Sequence, residues 1–103
     1  MTQAKKWDVW WASVRFEDKP EAKQRPVVIL SSGIVYVCAL KVTSQEPRSG
    51  DYVLSLWQYA GLIKPSTVRI DKVIKLKQQE MSHRIGALHP VDILAIQKML
   101  AGL

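Results

Sequence analysis

Apolar and polar positions alternate with a period of two near the start of the chain, which is the pattern of a half-buried β-strand. Residues 7–15 are rich in aromatic and β-branched side chains, which also favour a strand. The alternation divides this segment into two faces, one with Trp10, Ala12 and Val14 and the other with Trp11, Ser13 and Arg15. We predict that the first of these faces contacts the core.

Further short apolar segments are separated by polar segments that contain Pro or Gly, and they predict additional strands. These segments are residues 25–30, 34–43, 51–56, 66–71 and 73–77. Between them, residues 16–24 and 44–50 are charged or polar and predict exposed loops, and residues 31–33 predict a tight turn. Residues 79–88 show no clear period and predict irregular structure or a single helical turn.

The end of the chain follows a helical period instead. Pro90 suits the first turn of a helix, and it is followed at helical spacing by Ile93, Ile96, Leu100 and Leu103. Many short strands followed by one helix predict a mostly β fold, a small curled barrel with a C-terminal α-helix packed against it. The chain has 103 residues, and we expect residues 1–103 to form a single domain.

The charge of the chain favours a polyanionic partner. There are 15 Lys and Arg residues against 9 Asp and Glu residues, which gives a net charge of +6. A positive domain of this size attracts nucleic acids through its field and through counterion release. The same charge would also keep a small protein soluble, so charge alone does not decide between these explanations.

Cysteine and histidine are too few and too scattered to predict a disulfide framework or a metal centre. Cys38 is the single cysteine, and its apolar surroundings in the sequence suit a buried structural thiol in a reducing compartment. His83 and His89 lie late in the chain, where we expect exposed loop residues, and we expect no metal and no other cofactor. Because no apolar segment has the length of a signal peptide or a membrane span, we expect a soluble cytoplasmic protein.

Polar side chains on three predicted strands suit the binding of a phosphodiester. Arg25 begins one strand directly after a charged loop, and Thr43 ends the next one. Thr67, Arg69 and Asp71 alternate along residues 66–71, so we expect Arg69 and Asp71 to project from the same face. Arginine stays charged, and its planar guanidinium can bond two phosphate oxygens. This combination indicates RNA binding.

Each of these residues also has a structural explanation. Arg69 and Asp71 can form a surface ion pair that contributes little to stability. Arg25 can mark the start of a strand before Pro26, and Thr43 can be present for its β-propensity. Taken singly, the residues leave both interpretations open.

Several short motifs follow one another along nearly the whole chain. They are Asp8-Val9-Trp10-Trp11, Arg25-Pro26-Val27-Val28-Ile29, Val42-Thr43-Ser44, Gly61-Leu62, Thr67-Val68-Arg69-Ile70-Asp71-Lys72 and Arg84-Ile85-Gly86. In this order and at these spacings the chain resembles the PemK/MazF family of toxin endoribonucleases from bacterial toxin–antitoxin pairs. The resemblance implies an SH3-like barrel, a homodimer, metal-independent cleavage of single-stranded RNA, and an antitoxin protein that occludes the site.

RNA carries its own nucleophile, the 2′-hydroxyl, so this chemistry needs no catalytic serine or cysteine. Asp71 could take the proton of that hydroxyl or orient an arginine. The resemblance implies that Asp71 takes the proton and that Arg69 acts as the acid. An arginine side chain releases a proton reluctantly, so we favour stabilisation of the phosphorane charge by Arg25 and Arg69. Thr43 and Thr67 are expected to donate hydrogen bonds to phosphate or to base edges.

The chain departs from the family's pattern in its first loop. Many relatives carry a histidine or a His-Glu pair there, whereas this loop reads Lys19-Pro20-Glu21-Ala22-Lys23-Gln24. Glu21, Lys19 and Lys23 are the candidates to replace the histidine as base or as phosphate contacts. Trp57 is a candidate to stack on an unpaired base, with core or dimer contact as the alternative.

Two other functions remain open at this point. A gyrase-poisoning toxin of the CcdB type has the same barrel, but it works through its C-terminal helix and lacks the arginine set. A catalytically inactive, toxin-like RNA-binding module would follow from loss of the loop histidine. The arginines and Asp71 favour the nuclease over the gyrase poison.

Overall fold

The computed structural model describes residues 4–15 and 21–102, which form one antiparallel sheet and a C-terminal helix. In chain order the elements are β1 (Asp8–Arg15), β2 (Ala22–Ser32), β3 (Tyr36–Thr43), β4 (Tyr52–Val53), β5 (Thr67–Lys77), a 3₁₀ turn (Gln78–Glu80), β6 (Met81–Ala87) and α1 (Pro90–Ala101). The strands are hydrogen-bonded in the order β4-β5-β3-β2-β1-β6. The predicted mostly β class with a C-terminal helix is therefore confirmed.

The sheet does not close into a complete barrel, because β4 and β6 lie at opposite ends of the hydrogen-bonded order. The strand predicted at residues 51–56 is reduced to Tyr52–Val53. The backbone N–H groups of Ser55 and Leu56 donate instead to the carboxylate of Asp92 in α1, each at 3.0 Å. These two N–H groups are therefore bonded to the helix and cannot donate to a neighbouring strand, so β4 is short.

Alternation along the strands divides the apolar side chains between two cores. In β2, Val28 packs in one core together with Ile96 of α1, while Val27 and Ile29 pack in the other; none of these four is measurably exposed. Burial of an aliphatic side chain of this size contributes about 1.5–3 kcal/mol relative to exposure. The predicted inner face of β1, with Trp10, Ala12 and Val14, is confirmed as part of the second core.

The interpretation of residues 79–88 as irregular is wrong, because Met81–Ala87 forms the edge strand β6. Its central residues, Ser82, His83 and Arg84, are all exposed, so they show no alternation of apolar and polar side chains. The pairing of β6 with β1 also shifts register twice, and such bulges disrupt the two-residue period. The two segments predicted at residues 66–71 and 73–77 likewise form the single strand β5.

Two glycines allow the connector between β4 and β5 to lie directly against β6. Gly61 has a φ of +90°, and a Cβ at this position would lie 2.7 Å from the carbonyl oxygen of Ile85. A Cβ on Gly86 would overlap the carbonyl oxygen of Ala60 and lie 2.9 Å from its carbonyl carbon. The motifs Gly61-Leu62 and Arg84-Ile85-Gly86 therefore mark a close approach of two backbones.

The C-terminal helix begins at Pro90 as predicted, and His89 caps it. The Nδ1 atom of His89 accepts a hydrogen bond from the backbone N–H of Val91 at 3.1 Å, which satisfies one of the free donors at the helix start. The ring also packs edge-on against Tyr59, with 4.8 Å between the ring centroids. His89 lies in the connection between β6 and α1 as expected but is half-buried there, and His83 is exposed but lies within β6.

Two further sequence predictions concern burial and membranes. Cys38 is half-buried on β3 rather than fully enclosed. Within residues 4–15 and 21–102, no helix is both long and apolar enough to cross a membrane.

Candidate functional site

A bulge in β5 determines which side chains of this strand meet the neighbouring strands. Leu40 of β3 pairs with Val73, but Val42, two residues on, pairs with Val68. Residues 69–72 are consequently left out of the pairing with β3. Bulges re-aim side chains and are common beside active sites.

A cavity of about 310 Å³ lies where β1, β2, β3 and the bulge of β5 meet. Its described lining is strongly basic: six of the ten described residues are Lys or Arg, and none of these ten is acidic. The lining residues are Val14, Arg15, Arg25, Lys41, Val42, Thr43, Gln45, Arg48, Arg69 and Lys72. Such a concave surface with one sign of charge concentrates anions, because its low-dielectric walls focus the field. We refer to it as the cationic cavity.

Arg69 is held at the wall of this cavity by two side chains. Its Nη1 donates to Oδ2 of Asp51 at 2.9 Å, and its Nη2 donates to Oε1 of Gln45 at 3.4 Å. The side chains of Arg69 and Asp51 are only 9% and 3% exposed, so water screens this ion pair weakly. A guanidinium has five N–H donors, and these two bonds leave three of them for a ligand.

Thr43 is oriented by the backbone of the following loop. Its Oγ1 accepts a hydrogen bond from the backbone N–H of Gln45 at 3.1 Å. Because the oxygen acts as acceptor in that bond, the hydroxyl proton is available for donation to an anion. The buried Thr43 thus adds a neutral donor to the cationic cavity.

Arg25 lies between the cationic cavity and a second, larger one. It is half-buried on β2, opposite Ala12 of β1, and contributes to the lining of both. Val42 and Thr43 also line both cavities, which are therefore adjacent. A ligand at Arg25 can thus extend in two directions.

The second cavity has a volume of about 580 Å³ and combines apolar and basic walls. Apolar side chains come from Trp11 and from the connector before β5, with basic ones around them. The residues are Trp11, Lys23, Gln24, Arg25, Pro26, Val42, Thr43, Ser44, Gly61, Leu62, Ile63, Lys64, Ser66, His83, Arg84 and Ile85. The Nε of Arg84 lies 3.3 Å from Oδ1 of Asp8, a buried carboxylate that also accepts from the indole N–H of Trp10 at 3.3 Å. We refer to it as the mixed groove.

The structure brings together Arg25, Thr43 and Arg69 from the predicted set. It does not bring Asp71 to them: Arg69 is buried against the cavity, whereas Asp71 is exposed and lines neither space. The two residues thus differ in their surroundings although they are only two positions apart, and both lie within the bulge. Lys72 lines the cavity instead.

The remaining predicted residues are scattered around these three. Lys23 is exposed and lines the mixed groove, while Glu21 is exposed and lines neither space. Thr67 is buried and pairs with Thr43 in the sheet. Trp57 is half-buried and packs against the core beneath α1, which corresponds to the core alternative. Lys19 lies outside the described residues.

Sequence reasoning missed several residues of the cationic cavity. Arg48 and Gln45 lie in the polar loop of residues 44–50, and Asp51 follows it directly. Lys72 is the last residue of the sequence motif that contains Arg69, and its place in that motif was the one signal in the sequence that could have indicated it. The contacts of the loop with Arg69 span 18 and 24 residues of sequence, which no local pattern encodes.

Within the described part of the chain, no three His, Cys, Asp or Glu side chains are grouped so that they could hold a metal ion.

The fold and the site together define a small, mostly β protein with a basic cavity that suits the phosphate of a nucleic acid. Residues 5–103 match the family described as PemK-like, MazF-like toxin of type II toxin-antitoxin system. The chain therefore belongs to this toxin family, as the sequence motifs predicted. A comparison with curated protein sequences gives no match.

Solved structures share the fold at low sequence identity. An endoribonuclease from a mycobacterial species has 16% identity and a TM-score of 0.76, over 99% of this chain and 91% of that one. An endoribonuclease in complex with its cognate antitoxin, also mycobacterial, has 16% identity and a TM-score of 0.71, over 94% and 90%. The Mycobacterium tuberculosis toxin MazF-mt6 has 18% identity and a TM-score of 0.68, over 90% and 93%.

Proposed function

We propose that this toxin is an endoribonuclease that cleaves single-stranded RNA through attack of the 2′-hydroxyl on the adjacent phosphate. The observation that carries the proposal is the convergence of Arg25, Thr43 and Arg69 on one cationic cavity. Membership of the toxin family and the likeness to structures named as endoribonucleases support the choice of RNA as the target.

The proposed chemistry depends mainly on electrostatic stabilisation. As the 2′-oxygen attacks, a second negative charge develops on the phosphorane oxygens, and preorganised donors lower the energy of that state. Arg69 presents its three remaining donors from a fixed position, Arg25 supplies a second guanidinium, and Thr43 supplies a neutral donor. The 5′-oxygen leaves as the 2′,3′-cyclic phosphate forms.

We assign removal of the 2′-hydroxyl proton to Asp71. Among the residues that the structure describes, none that lines the cationic cavity has a carboxylate, and Asp71 is exposed and directly precedes the lining residue Lys72. From this position it would act on a nucleotide bound at the rim of the cavity. We assign protonation of the leaving oxygen to water rather than to Arg69, because an arginine releases its proton reluctantly.

We further propose that the toxin acts in the cytoplasm as a homodimer and is inhibited by a cognate antitoxin. A related endoribonuclease has been solved in complex with its cognate antitoxin. A cavity with this charge would favour an acidic antitoxin segment that competes with RNA for the same donors.

The experiment is cleavage of a fluorogenic single-stranded RNA in EDTA, with the wild type compared with Arg25→Ala. We expect kcat/KM to fall on the order of 10²–10³-fold, because one preorganised donor group is lost. Lys98→Ala is the matched control, since it removes one positive charge from the exposed surface of α1. Mass spectrometry of the wild-type products should give 2′,3′-cyclic phosphate ends.

Each other outcome identifies a different error. Normal cleavage by a folded Arg25→Ala protein would show that the site is assigned wrongly. RNA that the wild type binds but leaves intact would favour the inactive RNA-binding module. Inhibition of gyrase without any RNA binding would favour the CcdB-type function.

A further inference from the structure

Asp51 is a buried carboxylate that lies behind the cationic cavity rather than in its lining. Its side chain is 3% exposed, and a single oxygen, Oδ2, accepts two hydrogen bonds. One comes from Nη1 of Arg69 at 2.9 Å, and the other comes from the backbone N–H of Arg48 at 2.8 Å. The same atom thus holds an arginine of β5 and the backbone of the loop at residues 44–50.

The other end of this loop is attached to the same arginine. Gln45 accepts from Nη2 of Arg69 through its side chain and donates from its backbone to Thr43. A continuous path of hydrogen bonds therefore runs from Thr43 through Gln45 and Arg69 to Asp51 and Arg48. Four members of this path line the cavity, and Asp51 is the one that does not.

We infer that Asp51 is a positioning residue for this site: it fixes the guanidinium of Arg69 and, through the loop, the places of Gln45 and Arg48. The inference rests on the proposed RNA cleavage, and it explains why a carboxylate is buried behind a cavity that must attract an anion. Oriented donors stabilise a transition state more than mobile ones, because they need no reorganisation at the moment of reaction.

The negative charge of Asp51 and its hydrogen bonds are expected to have opposite effects on RNA cleavage, which makes the inference testable. The negative charge of Asp51 weakens the attraction of the cavity for RNA, while its hydrogen bonds orient Arg69. Removal of the side chain should therefore lower kcat without raising KM, since it removes an interaction that matters only in the transition state. A residue that merely stabilises the fold would lower the fraction of active protein and leave kcat per folded molecule unchanged.

The experiment measures the cleavage of single-stranded RNA by Asp51→Ala, Asp51→Asn and the control Glu46→Gln. Each rate is divided by the concentration of folded protein, which calorimetry determines without reference to activity. Asp51→Ala should lose on the order of 10- to 100-fold in kcat at an unchanged or lower KM. In Asp51→Asn the amide oxygen can take the place of Oδ2 and keep both bonds, so kcat should stay within roughly threefold of the wild type. Glu46 is an exposed residue of the same loop, and Glu46→Gln tests the loss of one negative charge alone.

A second readout is independent of RNA. The side-chain Nε–Hε NMR signal of Arg69, assigned by comparison with Arg69→Lys, should be sharp in the wild type and in Asp51→Asn. In Asp51→Ala it should be broadened or shifted towards the random-coil position. If the wild type fails to cut RNA, the proposed function fails, and this signal still decides whether Asp51 positions Arg69.

The inference is overturned if Asp51→Ala retains wild-type kcat, if its KM rises while kcat stays the same, or if its Arg69 signal is identical to that of the wild type. A loss of activity in Glu46→Gln as large as that in Asp51→Ala would also overturn it, because charge alone would then explain the effect. If Asp51→Ala does not fold, Asp51→Asn decides: near-normal kcat with a sharp Arg69 signal supports the inference, and a large loss in kcat opposes it.

Discussion

Asp92 connects the C-terminal helix to the sheet, and its replacement by Asn is the most direct test of that connection. The side chain has no exposed surface and accepts three hydrogen bonds. Oδ1 accepts from the hydroxyl of Tyr52 at 2.5 Å and from the backbone N–H of Ser55 at 3.0 Å, and Oδ2 accepts from the backbone N–H of Leu56 at 3.0 Å. Every polar atom of the carboxylate is therefore used.

An Asn side chain can satisfy only part of this arrangement. With its oxygen in the place of Oδ1, its NH₂ group faces the N–H of Leu56, so two donors meet without an acceptor. Leaving one buried donor unsatisfied costs about 1–3 kcal/mol. The loss of a negative charge in the first turn of α1 adds about 0.3–1 kcal/mol. The removal of a desolvated charge offsets part of this sum, so we expect Asp92→Asn to lower the free energy of unfolding by about 2 kcal/mol.

The measurement is urea unfolding at pH 7, followed by circular dichroism. In a thermal scan of a domain of this size, the same loss of 2 kcal/mol would appear as a fall in Tm of roughly 8–16 °C. Glu46→Gln removes the same charge from an exposed position and should stay within about 0.5 kcal/mol of the wild type. The reasoning is refuted if Asp92→Asn is as stable as this control, because the three bonds would then contribute nothing that an amide cannot replace.

Two further predictions concern the same region of the fold. Burial, and then the hydrogen bond to Asp92, raise the pKa of Tyr52 above 10.0, so its contribution to stability is complete below about pH 10 and is lost as the pH rises further. Tyr52→Phe should therefore show a shallower decline in unfolding free energy between pH 9 and pH 11 than the wild type; parallel declines would contradict the shift. Gly86→Ala should cost about 3 kcal/mol or more in thermal unfolding, since its Cβ would overlap the backbone of Ala60. Gly50→Ala, at a φ of +90° in open space, should cost only about 1–2 kcal/mol, and equal losses would show that the contact with Ala60 is unimportant.

The class of fold was predictable because local patterns encode most of it. Alternation in β1 and the helical period after Pro90 each depend on residues close in sequence, and both predictions are confirmed. The edge strand β6 was missed because the consecutive residues Ser82, His83 and Arg84 are all exposed and its pairing with β1 shifts register twice, so no period survives. The strand predicted at residues 51–56 is too long because the N–H groups of Ser55 and Leu56 donate to a helix that lies more than 30 residues further on.

The candidate site was predictable in its residue types but not in its geometry, and the bulge in β5 is the reason. A regular strand would place Arg69 and Asp71 side by side, and the arginine would then have an exposed carboxylate as its partner. With residues 69–72 outside the pairing with β3, Arg69 instead meets the buried Asp51, and Lys72 enters the cavity. The arginine is thereby held from behind by one carboxylate, while the other remains at the surface. The bulge thus decides which carboxylate orients the guanidinium: a buried one that follows a distant loop, rather than the neighbour two residues along the strand.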